Sequence, residues 1–156
     1  MITRVGRLRE LIIESLYAYA DAHDEFYSRI KDMAYDQGGL KVTHESPQKN
    51  FDAINDGGIK RIDVGIYLTV GWLKKPSFVR PGMGIIVHVR IPSEYVNDRF
   101  IVPDDAYNAD DPCADLLHEF PGVTGAEIGL DLDEIPVGWI DNILDPTGKS
   151  MIGRKT

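Results

Sequence analysis

Met83-Gly84-Ile85-Ile86-Val87-His88-Val89-Arg90-Ile91-Pro92 is the most strand-like stretch of the chain. Isoleucine and valine fill it, their β-branched side chains suit a pleated surface, and Pro92 ends it. Toward the N-terminus, Pro76, Pro81 and Gly82 mark a loop, and Ile62 to Thr69 alternates like a second strand. Leu40-Lys41-Val42-Thr43-His44 reads as a third. Ser46 then sits as an N-cap with Pro47 at the first helical position, opening a helix that carries Phe51 and Ile54 and stops at Asp56-Gly57-Gly58. Toward the C-terminus, Ile101-Val102-Pro103 precedes an acidic loop from Asp104 to Asp111. Asp111-Pro112 opens a short helix through Leu116 and Leu117, and Pro121-Gly122 breaks it. Ala126 to Leu132 is a further strand, and Ile135-Pro136 leads to a last short element ending near Leu144.

Before all of this comes a helical stripe. Leu8, Leu11, Ile12, Leu16, Tyr19, Phe26, Ile30 and Met33 recur at three- and four-residue steps, with a break expected near Asp21-Ala22-His23-Asp24 and a stop at Gly38-Gly39. Strands do not alternate regularly with long helices, which argues against a doubly wound parallel sheet. The pattern predicts an α+β fold with a split, mixed, largely antiparallel sheet. It comprises a helical segment over residues 1–37, a core over 40–144 and a tail over 145–156, all in one domain.

Composition narrows the function classes. The chain has 156 residues, enough for one domain with a sizeable core. Its apolar fraction is 43% and its charged fraction 27%, values of a globular protein. No apolar run has the length of a membrane span, and the first residues lack the form of a signal peptide. Cys113 is the single cysteine, so no intramolecular disulfide forms, and a reducing cytoplasmic setting is expected. The net charge of −8 argues against a protein that grips phosphate backbones over a broad surface, although Lys74, Lys75, Arg80, Lys149, Arg154 and Lys155 are available for a local basic groove.

Several motifs fail on their own requirements. Gly148-Lys149-Ser150 lacks the earlier glycine of a phosphate loop, because Ile143 stands in that place. The acidic run lacks the glycine and terminal glutamate of a calcium loop. His23, His44, His88 and His118 show no metal-ligand spacing with one another or with Cys113, so no metal is expected. No Gly-x-Ser-x-Gly elbow occurs. His44-Glu45-Ser46 has no second His-x-Ser/Thr partner in His88-Val89-Arg90 or His118-Glu119-Phe120.

Three pieces remain, in this order: Thr43-His44-Glu45-Ser46 at a strand end, Gly65-Ile66-Tyr67-Leu68-Thr69 with Trp72 beyond it, and Ala126-Glu127-Ile128 leading to Ile135-Pro136-Val137-Gly138-Trp139-Ile140. Ile85 to Pro92 lies between the second and third. From Leu40 to Ile140 this order resembles the His-Tyr-Glu class of ADP-ribosyltransferases. It is also similar in layout to the RNA 2′-phosphotransferases and to DNA-modifying toxins.

The resemblance implies NAD as co-substrate, without a metal, and transfer of ADP-ribose to a macromolecular acceptor, a protein before a nucleic acid. Hydrolysis of NAD would occur when no acceptor is bound, and no membrane partner is implied. On this resemblance Glu127 stabilises the developing ribosyl cation and orients or deprotonates the acceptor. Tyr67 stacks on nicotinamide, His44 holds a ribose hydroxyl, and Glu45, Ser46, Thr69 and Trp72 complete the NAD contacts. Glu45 departs from the small residue usual after the histidine. Each residue also has a structural alternative. His44 would cap a strand end, Tyr67, Thr69 and Trp72 would pack, and Glu127 would face solvent with Glu134 as its rival. The matching functional alternatives are a catalytically silent binding module and a small structural or assembly protein.

Overall fold

The computed structural model describes residues 4–61, 65–74, 84–103 and 112–152, with the backbone alone for 4–20. The expected loop at Pro76–Gly82 with Lys75 and Arg80, the acidic loop at 104–111, the start of the second strand at 62–64, and Arg154 and Lys155 lie outside these residues.

One helix, α1, runs without a break over Arg4–Gln37. The interruption expected near Asp21 is not there, since neither proline nor glycine falls within Asp21–Asp24 to open the backbone ladder. The stop at Gly38-Gly39 is where the sequence puts it. The Gly39 amide donates to the Ala34 carbonyl at 2.8 Å and that of Gly38 to Tyr35 at 3.4 Å, while Gly38 has a φ of 68°. This is a Schellman closure of the last turn. A side chain at Gly39 would also meet Arg90 Cγ at 2.7 Å.

The strands follow as β1 (Leu40–Pro47), β2 (Ile59–Lys60), β3 (Ile66–Val70), β4 (Gly84–Ile91), β5 (Ile101–Pro103), β6 (Glu127–Leu130), β7 (Glu134–Ile135) and β8 (Ile140–Leu144). Helices α2 (Phe51–Gly57) and α3 (Pro112–Glu119) lie among them. Strand β1 runs three residues past its expected end. Pro47 keeps an extended ψ of 146°, so it closes the strand and precedes a 3₁₀ turn over Gln48–Asn50, and α2 starts only at Phe51. Ser46 is therefore a strand residue, and its hydroxyl accepts from Asn50 Nδ2 at 2.8 Å.

Six strands form one sheet in the order β5-β6-β3-β1-β4-β8, and every pairing among them is antiparallel. The fold is thus α+β with a largely antiparallel sheet. Strands β2 and β7 make a separate two-stranded ribbon. Strand β1 lies at the centre, paired along its whole length with β4 but with β3 only at Val42↔Val70 and Thr43↔Thr69.

Alternation gives the sheet two unlike faces. Leu40, Val42, Leu68, Val70, Val87, Val89, Ile128 and Leu130 form one cluster with Phe26, Ile30 and Ala34 of α1 and Cys113 and Leu116 of α3. Phe26 and Ile30 are fully buried, each contributing about 1.5–3 kcal/mol on burial. The Tyr27 hydroxyl donates to the Ile101 carbonyl at 2.6 Å and ties α1 to the far edge of the sheet. Thr43, Tyr67, Thr69, His88 and Glu127 stand on the opposite, outer face, as their register requires.

Candidate active site

The outer face carries a polar row. Thr69 is registered opposite both Thr43 and Glu127, Thr43 is opposite His88, and His88 is opposite Asn142. Thr43, Thr69 and His88 are all buried, so their polar groups need partners. The segment leaving β3 supplies those of Thr43 and His88. It folds back over the face as Gly71-Trp72-Leu73-Lys74, where Thr43 Oγ1 donates to the Gly71 carbonyl at 2.7 Å and accepts from the Leu73 amide at 2.9 Å. His88 Nε2 lies 2.6 Å from the Leu73 carbonyl, which can only accept, so Nε2 carries the proton. Burial lowers the His88 pKa, and the Leu73 carbonyl and the charge of Asp141 oppose that shift.

Trp72 belongs to this strap. Its ring stacks on His88 at 5.0 Å and 4°, its Nε1 donates to the Val89 carbonyl at 3.1 Å, and Lys41 and Arg90 sit over it at 4.6 and 5.0 Å. The cross-strand pair Lys41↔Arg90 would repel if bare, and the indole that both cations sit over offsets that repulsion. Trp72 thus packs toward β4, on the side of β1 away from Tyr67.

Tyr67, Thr69 and Glu127 come together. Tyr67 is opposite Gly129 on β6, so its ring and the Glu127 carboxylate are diagonal neighbours on one face. The ring is 46% exposed and forms a wall of a cleft of about 380 Å³, lined also by Arg61, Val102, Pro103, Gly129 and Asp131. Arg61 Nη1 donates to Asp131 Oδ1 at 2.7 Å across that cleft.

His44 reaches the group differently. By alternation its Cβ shares the apolar face with Leu40 and Val42, opposite to Tyr67. Yet its Nδ1 lies 3.2 Å from the Tyr67 carbonyl, just past the last rung between β1 and β3. The carbonyl accepts, so Nδ1 holds the proton and Nε2 keeps its lone pair. Burial lowers the pKa of His44 against the pull of the Tyr67 carbonyl, which favours the neutral ring. His44 therefore joins the site at the seam where β1 and β3 part, by a ring nitrogen rather than by sharing the Tyr67 face.

Glu45 lies partly buried on the outer face beyond Thr43, and Ser46 is buried with Asn50 as its partner. Glu134, the rival of Glu127, lies on the β2–β7 ribbon, where Lys60 donates to its carboxylate. Sequence reasoning missed Arg61, Val102, Gly129 and Asp131, which join Tyr67 in the cleft. The one local signal was that Gly129 and Asp131 follow Glu127 at steps of two, the period of one strand face. Among the described residues no group of three His, Cys, Asp or Glu side chains has metal-site geometry, and no helix is long and apolar enough to cross a membrane. No family model, no curated protein and no solved structure matches this chain.

Proposed function

We propose that the chain is an NAD-dependent ADP-ribosyltransferase whose working groups are Tyr67, Glu127 and His44. One observation carries the reading. Tyr67 and Glu127, far apart in the sequence, are diagonal neighbours on one face of β3 and β6, where the exposed Tyr67 ring walls an open cleft. His44 of β1 reaches the Tyr67 carbonyl from the other face.

The chemistry then follows from each group. Tyr67 offers a ring face on which nicotinamide stacks and is oriented as a leaving group. The bond from ribose C1′ to the nicotinamide nitrogen breaks, and its electron pair neutralises the pyridinium ring. Glu127 places a negative charge beside the oxocarbenium centre left on the ribose. As the acceptor forms its new bond to C1′, Glu127 takes the proton that the acceptor loses. His44, whose Cβ lies on the other face, is neutral and held by the Tyr67 carbonyl at the seam where β1 and β3 part, and there its Nε2 is the acceptor for a ribose hydroxyl. No metal is needed for any step.

Incubating the protein with NAD and following free nicotinamide tests this directly. Release is expected, together with a rise in melting temperature at millimolar NAD that persists in a chelator. The absence of both release and stabilisation would overturn the reading and leave the silent binding module in its place.

A further inference from the structure

Tyr67, Gly129 and Val102 form one row across β3, β6 and β5, because Gly129 is registered opposite both of the others. Gly129 has no side chain, so the row has a sunken floor between two apolar walls. Those walls, Tyr67 at 46% and Val102 at 43% exposure, are two of the four large hydrophobics that stand out from the described surface. The floor is tight as well as low: a Cβ at Gly129 would come within 3.3 Å of Val102 Cγ2.

Two strand spacings separate the walls, about 9.6 Å. A planar ring standing over Gly129 would lie about one strand spacing, ~4.8 Å, from the Tyr67 side, on the scale of paired aromatic rings, and would pack against the Val102 methyls on its other face. Along β6, Glu127 and Gly129 stand at alternate positions, roughly 6.8 Å apart, and Asp131 follows just past the end of the strand. Asp131 lines the slot at one end, and Glu127 lies on the same face beyond the lining at the other. The Asp131 end also has the guanidinium of Arg61, 2.7 Å away.

We propose that this slot seats a nucleobase. Resting on the ADP-ribosyltransferase reading, the inference makes the acceptor a nucleobase rather than a protein side chain. A flat ring fills a space between two walls, and a lysine, serine or arginine chain leaves most of it empty. The Asp131 carboxylate accepts from the amino or imino N–H edge of a base, and the guanidinium beside it favours ring oxygen or nitrogen. The opposite edge of the ring then points at Glu127. A base nitrogen there bonds to C1′ as nicotinamide departs with the electrons of its own bond to C1′, and the nitrogen's proton passes to Glu127. The net charge of −8 disfavours a long polyanion, so the base arrives in a nucleoside, a nucleotide or a short single strand.

Calorimetric titration of the full chain with guanosine, with adenosine, with an eight-nucleotide single-stranded DNA and with ribose 5-phosphate tests the slot. The nucleosides or the oligonucleotide should bind and ribose 5-phosphate should not. Tighter binding of the oligonucleotide than of the nucleosides identifies a strand as the source of the base. Gly129→Val should weaken binding at least tenfold, and Val102→Ala and Asp131→Asn by several-fold each. The latter two carry the test if Gly129→Val fails to fold. Binding that is indifferent to Val102→Ala and Asp131→Asn lies elsewhere and overturns the proposal, as does no binding at millimolar ligand. Slot binding without nicotinamide release from NAD would keep the base seat and remove the enzymatic reading. Nicotinamide release without base binding would do the reverse.

Discussion

Thr43→Val removes a hydroxyl and keeps its volume, which makes it a clean probe of the strap over the outer face. Thr43 is 1% exposed, and its oxygen serves the Gly71 carbonyl and the Leu73 amide at once. Valine leaves both backbone groups without that partner. Each unsatisfied group costs about 1–3 kcal/mol, so about 3 kcal/mol is expected for the pair once water has reached one of them. For a chain of 156 residues that corresponds to a loss of about 9 °C in melting temperature. Urea denaturation gives the free energy, and hydrogen exchange at the Leu73 amide reports the strap itself, where exchange should accelerate. Thr43→Ser keeps the hydroxyl and should lose only about 1 kcal/mol for the missing methyl. If Thr43→Val melts within about 2 °C of the wild type with Leu73 still protected, the strap does not depend on this hydroxyl.

For Glu127→Gln, nicotinamide release should fall by about a hundredfold or more with NAD affinity little changed, as expected for a charge acting in the transition state. Glu134→Gln should leave turnover intact, and the opposite pattern would exchange the two roles. Gly58→Ala should cost more than about 2 kcal/mol, because Gly58 has a φ of 80° and a Cβ there would collide with the Ile135 carbonyl. Gly57→Ala, with nothing near its Cβ, should be neutral or slightly stabilising, and equal melting temperatures for the two would refute the contrast. His44 and His88 both have folded-state pKa values below the ordinary 6.5. Below that value the unfolded chain binds protons that the folded chain resists, so their contribution to stability is whole above about pH 6.5 and is lost as pH falls beneath it. His88→Gln should flatten this slope between pH 7 and 5.5 relative to wild type in parallel denaturation curves, and an unchanged slope would count against it.

Much of the fold was legible because its signals are local. The β-branched run of β4, the glycine pair closing α1 and the proline opening α3 each act within a turn or a strand. What the sequence concealed depends on register. His44 and Thr43 are adjacent in sequence but occupy opposite faces, and only the pairing of Thr43 with Thr69 decides which face holds the Tyr67 ring. The same pairing sets Glu127 two residues from Gly129 and opens the slot to Val102, a residue no short motif contains. Trp72 looked like a neighbour of Tyr67, but the Val89 carbonyl draws its indole across β1 to the other side. Pro47 looked like a helix start, and the pairing of β1 with β4 held it in the strand instead.

The order of strands leaves β5 and β8 at the rims, and each rim is closed by a different device. Strand β5 has only three residues and ends in Pro103, whose nitrogen offers no hydrogen to an incoming chain. At the other rim the chain doubles back after Asp145. Ser150 bridges to Leu144, and the Met151 amide donates to the Ile143 carbonyl at 2.8 Å. The last turn of the described chain therefore acts as a guard against edge-to-edge aggregation. Cutting the chain after Asp145 would strip that cover from Ile143 and Leu144 and give another molecule's strand a place to add.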